Sequence, residues 1–269
     1  VVSPTEIAQL PAVDDPGVLA RIRDHWLDGS DHAESHRELG EQFVVCAPHL
    51  PYLVRAERRM LGRMVRYLVS QGVRQFLDLG SGVPARDHVH EVAQEAAPDA
   101  RVVYVDRDPG LWQDGLRLLE GNENAAYVCA DLLCPDDVWR SPEVRRLLDL
   151  AEPTAVLLID TLPHLTELQD PDAVVAAFVG PLARGSYLGI SHFIPDESLD
   201  DWWPLYGKMF GPPPSVTLRP PERIAQFFTG LDLLEPGVVP VPLWRPDVRP
   251  DSDRNPERAQ IHAGLARKN

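Results

Sequence analysis

The sequence predicts an α/β fold built on a mainly parallel sheet, and three observations predict it. From residue 74 onward, short apolar runs alternate with amphipathic ones, the pattern of strands joined through helices. The first run, Phe76, Leu77 and Leu79, is followed at once by Gly80 and Gly82, whose missing Cβ allows a tight turn and a close approach of ligand to backbone. Four successive runs finish in acidic residues, and in such sheets the carboxyl ends of the strands border the ligand crevice.

The elements follow in order. Residues 1–15 carry two prolines and little periodicity, and read as a surface arm. A helix starts at Pro16-Gly17 with Leu19, Ile22, Trp26 and Leu27 on one apolar face; Asp28-Gly29-Ser30-Asp31 breaks it and caps a second helix carrying His32 and His36 one turn apart. Two such histidines can ligate a metal, yet this is not HExxH and no third ligand appears, so they read as surface residues. Pro51 opens a third helix as a first-turn proline. Leu53, Ala56, Met60, Met64 and Tyr67 form its apolar stripe, while Arg55, Arg58, Arg59, Arg63 and Arg66 as a group read as its solvated face.

The strand at residues 76–79 leads into a helix over 88–97. Val102 to Val105 form a second strand ending in Asp106-Arg107-Asp108, Ala125 to Ala130 a third ending in Asp131, Ala155 to Ile159 a fourth ending in Asp160-Thr161, and Ser186 to His192 a fifth. Residues 223–228 read as a helix, 231–234 as a strand, and 238–241 as an antiparallel edge strand in which proline is tolerated. Residues 248–269 turn to Arg, Pro and Asp and read as a loosely held tail.

A formal net charge of -15 argues against binding a nucleic-acid backbone. Cys46, Cys129 and Cys134 form no CxxC pair or zinc spacing, as expected of a reduced cytoplasmic protein without a metal. No signal peptide is recognisable, and no apolar run approaches the roughly 20 residues that span a bilayer.

Gly80-x-Gly82-x-x-Ala85 also fits a relaxed dinucleotide fingerprint, so the glycines do not separate NAD(P) from S-adenosylmethionine. Asp78 does: its carboxylate would repel a pyrophosphate but hold the α-ammonium of a methionine moiety. The alternative is that Asp78 only caps the turn. Asp106, 24 residues after Gly82, is placed to accept both hydroxyls of an adenosine ribose, unless it and Asp108 merely cap the helix from Leu111. Asp131 suits the adenine amino group, with the Leu132 amide facing the ring. Ser81 and Arg107 belong to the same two loops. Asp160 and Thr161 would border the methionine end or a substrate, and Arg58 could fork onto the methionine carboxylate from the helical cap.

The chain resembles the S-adenosyl methyltransferase-like proteins of high-GC Gram-positive bacteria, long known only as a domain of unknown function. The resemblance spans residues 21–247. Its motifs are Arg-x-x-Asp-x-x-Leu-x-Gly at 21–29, Arg-Ala-x-Arg at 55–58, Arg-Gln-Phe-Leu-Asp-Leu-Gly-Ser-Gly at 74–82, Val-His-Glu-Val-Ala-Gln at 89–94, and Ala-Arg-Val-Val-Tyr-Val-Asp-x-Asp-Pro at 100–109. Ser191-His192, and Gly237 with Trp244-Arg245-Pro246, complete the set. It implies a Rossmann-like class I methyltransferase fold, with a seven-stranded, mostly parallel sheet, an antiparallel last strand and an N-terminal helical cap. Asp78, Gly80, Asp106 and Asp131 match the family's cofactor positions. The expected division is an arm and cap at 1–72, a cofactor-binding domain at 73–247 and a tail at 248–269. Where relatives commonly have Thr and Asn in the glycine loop, this chain has Ala85 and His88, with Asp87 beside the latter. Where relatives have an apolar pair after the fourth strand, this chain has Asp160-Thr161. A carboxylate there needs a cation or donor, whether the cofactor's or a substrate's.

Methyl transfer from a sulfonium needs an aligned nucleophile and, for a hydroxyl, a base. His164 and His192 are the candidate bases, with a structural role open for each; His90 is expected on the crevice wall. Trp26, Phe193, Trp202, Trp203 and Phe210 would line an apolar pocket under the cap for a small, specialised-metabolite acceptor, the alternative for the tryptophan pair being core or homodimer packing. Other readings keep the cofactor but transfer its aminocarboxypropyl arm, cyclise it or cleave it, or make the chain a binding subunit without turnover.

Overall fold

The computed structural model describes residues 16–83, 87–247 and 255–269. The arm read over 1–15, and Ala85 in the glycine loop, lie outside the described residues. Three helices come first: α1 (Pro16–Trp26), α2 (Glu34–Cys46) and α3 (Leu50–Ser70). There follow β1 (Gln75–Leu79), α4 (Val89–Ala96), β2 (Arg101–Asp106), α5 (Pro109–Leu118) and β3 (Ala125–Cys129). Next come α6 (Pro135–Arg140), α7 (Pro142–Leu147), β4 (Thr154–Ile159), α8 (Pro171–Val179) and β5 (Tyr187–Phe193). The chain closes with α9 (Glu197–Phe210), α10 (Pro221–Gln226), β6 (Asp232–Leu233), β7 (Val239–Pro240) and β8 (Ile261–Arg267).

The sheet order is β3-β2-β1-β4-β5-β8-β6, with β7 also paired to β8. Strands β1 to β5 are parallel and β8 is antiparallel to β5. The order reverses between β1 and β4, which opens a crevice at their carboxyl ends. Every residue of β1 is buried because helices cover both faces. Side-chain alternation sends Phe76, Tyr104 and Leu157 toward α3 and Leu77, Val103 and Val156 toward α8. On the first side Met60, Met64 and Leu68 of α3 are fully buried. A Cβ at Gly189 in β5 would come within 2.6 Å of the Met64 sulfur, so the glycine is what lets α3 lie flat on the sheet.

Three expectations need correction. The segment from residue 255 is no loose tail: all seven residues of β8 pair with β5, and Ile261, Ala263, Leu265 and Ala266 are fully buried. The antiparallel strand is thus an inner one, and the stretches expected to end the sheet, β6 and β7, form a broken edge on the far side of β8, making eight strands instead of seven. The turn at Gly237 and the prolines beside it interrupt that edge, since proline cannot donate to a ladder. Second, the α3 arginines are not one solvated face. Arg63 donates from Nε to the Trp244 carbonyl at 3.0 Å and from Nη2 to the Val241 carbonyl at 2.8 Å, pinning the segment after β7, and Arg58 lines a cavity. Third, His32 precedes α2 and does not share a helix with His36; its Nδ1 lies 2.7 Å from Asp24.

Because β8 fills the sheet interior, Leu265→Ala should lower unfolding free energy by about 2–5 kcal/mol in denaturant titration, as for other buried leucines. A cost below about 0.5 kcal/mol, the usual range for surface positions, would restore the loose-tail reading.

Candidate functional site

The glycine loop leaves β1 with Gly80 at φ +68° and Gly82 at φ +64°, backbone conformations that side chains other than glycine rarely adopt. The Gly80 and Ser81 amides donate to the Val105 carbonyl at 2.8 and 3.1 Å, which ties the loop to β2. The Gly82 amide donates to Asp106 Oδ2 at 3.1 Å, and the Asp108 amide to its Oδ1 at 3.1 Å. Asp106 is thereby fixed at the end of β2, while Asp108 caps α5 by accepting from the Leu111 amide at 2.8 Å. Of the two carboxylates, Asp108 is the one that caps the helix. Ser81 Oγ donates to Tyr127 at 3.2 Å, and Tyr127 in turn donates to the Gly82 carbonyl at 2.8 Å. Behind the loop His90 accepts or donates at Tyr104 Oη, 2.8 Å from its Nδ1, so it braces the wall and does not line the crevice.

Asp78 is almost wholly buried on β1. Burial pushes its pKa up to about 7; Arg58 opposes the shift and Asp106 adds to it. Burial also raises the pKa of Asp106 against the amides that hold it.

After β4 the chain turns through Asp160, whose φ of +54° is left-handed. Thr161 Oγ1 donates to the Leu79 carbonyl at 2.7 Å and locks this turn beside the glycine loop; a Cβ on Gly80 would strike it. The cation that Asp160 was expected to need is Arg23 of α1, with Nη1 2.6 Å from Asp160 Oδ2. Arg23 also donates to Glu57 of α3. Ser191 Oγ on β5 donates to Glu57 and accepts the Asp160 amide at 2.9 Å. Burial raises the Asp160 pKa to about 7, with Arg23 lowering it and Glu57 raising it.

Two adjoining cavities result. The larger encloses about 1210 Å³ including its open mouth, and its wall carries Arg58, Asp78, Asp106, Arg107, Asp131 and Asp160. Gly80, Ser81, Gly82, Leu132, Thr161 and His164 also face it. The smaller, about 710 Å³ on the same measure, lies under the cap between Trp26, Phe43, Phe193, Trp202 and Trp203. Leu19, Arg23, Asp160 and His164 belong to both walls.

Of the expected residues, His90, His192 and Phe210 line neither of these two cavities. His192 is fully buried, with Nδ1 2.7 Å from the Phe193 carbonyl and Nε2 2.9 Å from Arg219 Nη1. A guanidinium only donates, so Nε2 accepts, Nδ1 carries the proton, and no site is left for a substrate. His164 does reach the cavities. Its ring is exposed to them yet surrounded by protein, and burial followed by Arg23 and Arg107 lowers its pKa to about 4. Phe210 packs against Tyr206 at 5.4 Å between ring centres and is not on the apolar cavity's wall. Asp131, besides facing the larger cavity, accepts the Leu133 amide at 2.9 Å. Arg23, Glu57 and Arg219 were missed. Glu57 carried a signal, because it stands four residues after Leu53 and three before Met60, on the buried face of α3 where a lone carboxylate needs a partner.

Among the described residues no helix is long and apolar enough to cross a membrane, and no cluster of His, Cys, Asp and Glu could hold a metal. No curated protein matches the sequence. A crystal structure of a candidate methyltransferase from Thermobifida fusca is 38% identical, with TM-score 0.83, covering 93% of this chain and 94% of that one. A protein of the DUF574 family from Streptomyces avermitilis is 34% identical, with TM-score 0.84, covering 93% and 97%. An O-methyltransferase family protein from Burkholderia thailandensis, 12% identical with TM-score 0.51 over 88% of this chain and 60% of its own, shares the fold alone. Residues 12–269 match the family described as S-adenosyl methyltransferase. The chain therefore belongs to that family, as an S-adenosylmethionine-dependent transferase with the class I methyltransferase fold.

Proposed function

We propose that the larger cavity seats S-adenosylmethionine and that the methyl group passes to a small, specialised-metabolite acceptor in the adjoining apolar cavity. The observation that carries this reading is the convergence of Asp78, Asp106, Asp131 and Arg58 on one cavity at the carboxyl ends of the strands. The donor set fits the cofactor. Asp78 holds the α-ammonium, Arg58 forks onto the methionine carboxylate, Asp106 accepts the ribose hydroxyls and Asp131 the adenine amino group. Ser81 and Leu132 border the nucleoside, Arg107 the outer face of the ribose, and Gly80 and Gly82 let backbone approach without a side chain between.

When bound, the cofactor supplies a methyl group already activated by a positive sulfur. What the chain adds is alignment and exclusion of water. The aromatic wall of the smaller cavity receives the apolar body of the acceptor. His164, on the wall common to both cavities, helps to orient the acceptor's reactive end toward the larger one.

Product analysis tests the reaction. Methyl transfer yields S-adenosylhomocysteine, whereas methylthioadenosine would mark transfer of the aminocarboxypropyl arm or cleavage, and no product in any extract would mark a binding subunit. Asp106→Ala should weaken S-adenosylmethionine binding by more than about tenfold in calorimetry, since two charge-assisted acceptors are lost; unchanged affinity would move the ribose elsewhere. Asp78 sits among Arg58, Asp106, Tyr104 and Tyr127, and only its ionised form attracts an ammonium. Affinity for S-adenosylmethionine should therefore rise as pH climbs through about 7, a dependence that Asp78→Asn should flatten.

A further inference from the structure

The wall between the cavities carries more chemistry than positioning requires. We propose that Asp160 is the base of the transfer and that the acceptor is an uncharged, flat aromatic molecule presenting a hydroxyl to it. The proposal rests on the reading of the larger cavity as the cofactor's seat.

The smaller cavity takes its shape from aromatic and aliphatic side chains, and among the described residues its only charged or titratable wall groups are Arg23, Asp160 and His164. Rings of Trp and Phe favour a flat aromatic body over a flexible polar one. Asp160 belongs to both walls. Its Oδ2 is occupied by Arg23, but Oδ1 is shielded from solvent and has no hydrogen-bond partner. An unsatisfied buried carboxylate oxygen is costly, and a ligand O–H is the complement that removes the cost. The left-handed backbone at Asp160, clamped by the Ser191 hydroxyl, is the kind of conformation that folds retain at working sites.

The charges around Asp160 select the nucleophile. Arg23 faces it from α1, Glu57 from α3, and His164 from the turn after β4. Arg23 is shared by two carboxylates, so it offers no spare charge to an anionic acceptor. An ammonium acceptor would be held by Asp160 with its lone pair still protonated and unable to attack. A hydroxyl meets neither obstacle. Its proton passes to the Asp160 carboxylate, its oxygen forms the new C–O bond, and the sulfur keeps the electron pair of the broken S–CH₃ bond. The acid so formed gives up the proton once the product has left and water enters the cavity. A base poised near neutrality suits this step, and Asp160 at about 7 is better matched than His164 at about 4.

The test is equilibrium dialysis of the protein loaded with S-adenosylhomocysteine against 2-naphthol, against 2-methoxynaphthalene, which has no hydroxyl proton, and against 2-(aminomethyl)naphthalene as its ammonium. At about pH 8, 2-naphthol should bind about tenfold more tightly than the methyl ether. That preference should fade as pH falls through about 7 and be absent from Asp160→Asn at every pH. Asparagine tolerates the left-handed backbone, so this variant keeps the fold, as circular dichroism will check. The proposal is overturned if wild type shows no preference, if Asp160→Asn keeps it, or if His164→Gln removes it instead. With S-adenosylmethionine in place of S-adenosylhomocysteine, methylation of the amine in preference to 2-naphthol overturns the hydroxyl assignment. Failure of S-adenosylhomocysteine to bind sinks the underlying cavity reading alone, because the naphthol series repeated without it still reports on Asp160.

Discussion

Arg23 supplies the constraint on which the rest of the molecule depends. One guanidinium reaches from α1 to Glu57 on α3 and to Asp160 at the end of β4, so the cap, the covering helix and the sheet meet at a single charge. Stranding a buried carboxylate such as Glu57 costs about 3–5 kcal/mol, and the partial exposure of Arg23 places its own contribution at the lower end. The same side chain stands in the wall of both cavities. The attachment of the cap and the partition between the two chambers thus share one side chain.

The rim carboxylates are expensive in the absence of a ligand. Desolvation raises the pKa of Asp78, and Asp106 nearby adds to it, so the folded chain binds that proton more tightly than the unfolded chain does. The sign follows directly: protonated Asp78 favours the native state, and that advantage is lost as pH rises from the ordinary carboxylate range, near 4, through about 7. A bound cation reverses the balance. Stability is given up at the crevice so that a positively charged ligand can return it.

How much of this was legible in the sequence follows from how local each signal is. Strands β1 to β5 are dense in apolar residues and the first four carry an aspartate at or beside their carboxyl ends, so their order and the rim could be read directly. β8 was not legible because it is built from Ile, His, Ala, Gly and Leu: a Cβ on Gly264 would sit 3.0 Å from Phe228, and the small residues that satisfy this packing carry little apolar signal. The Arg23–Asp160 pair spans 137 positions, and nothing near either residue names the other. His192 misled for the same reason, since the arginine that consumes its Nε2 lies 27 residues away. The motif at residues 21–29 was visible but mute. Only the fold shows that Gly29 is required there because any Cβ would collide with Asp24, which accepts the Asp31 amide at 2.8 Å.

The placement of β8 has a cost in time. β5 ends at Phe193 and its neighbour begins at Ile261, so an open strand edge must wait for a segment that follows every other strand in the chain. Closing so long a loop is slow, and an unpaired edge invites other chains in the interval. Crowded nascent or refolding chains would meet that hazard at β5, which makes the docking of β8 the step at which productive folding and aggregation compete.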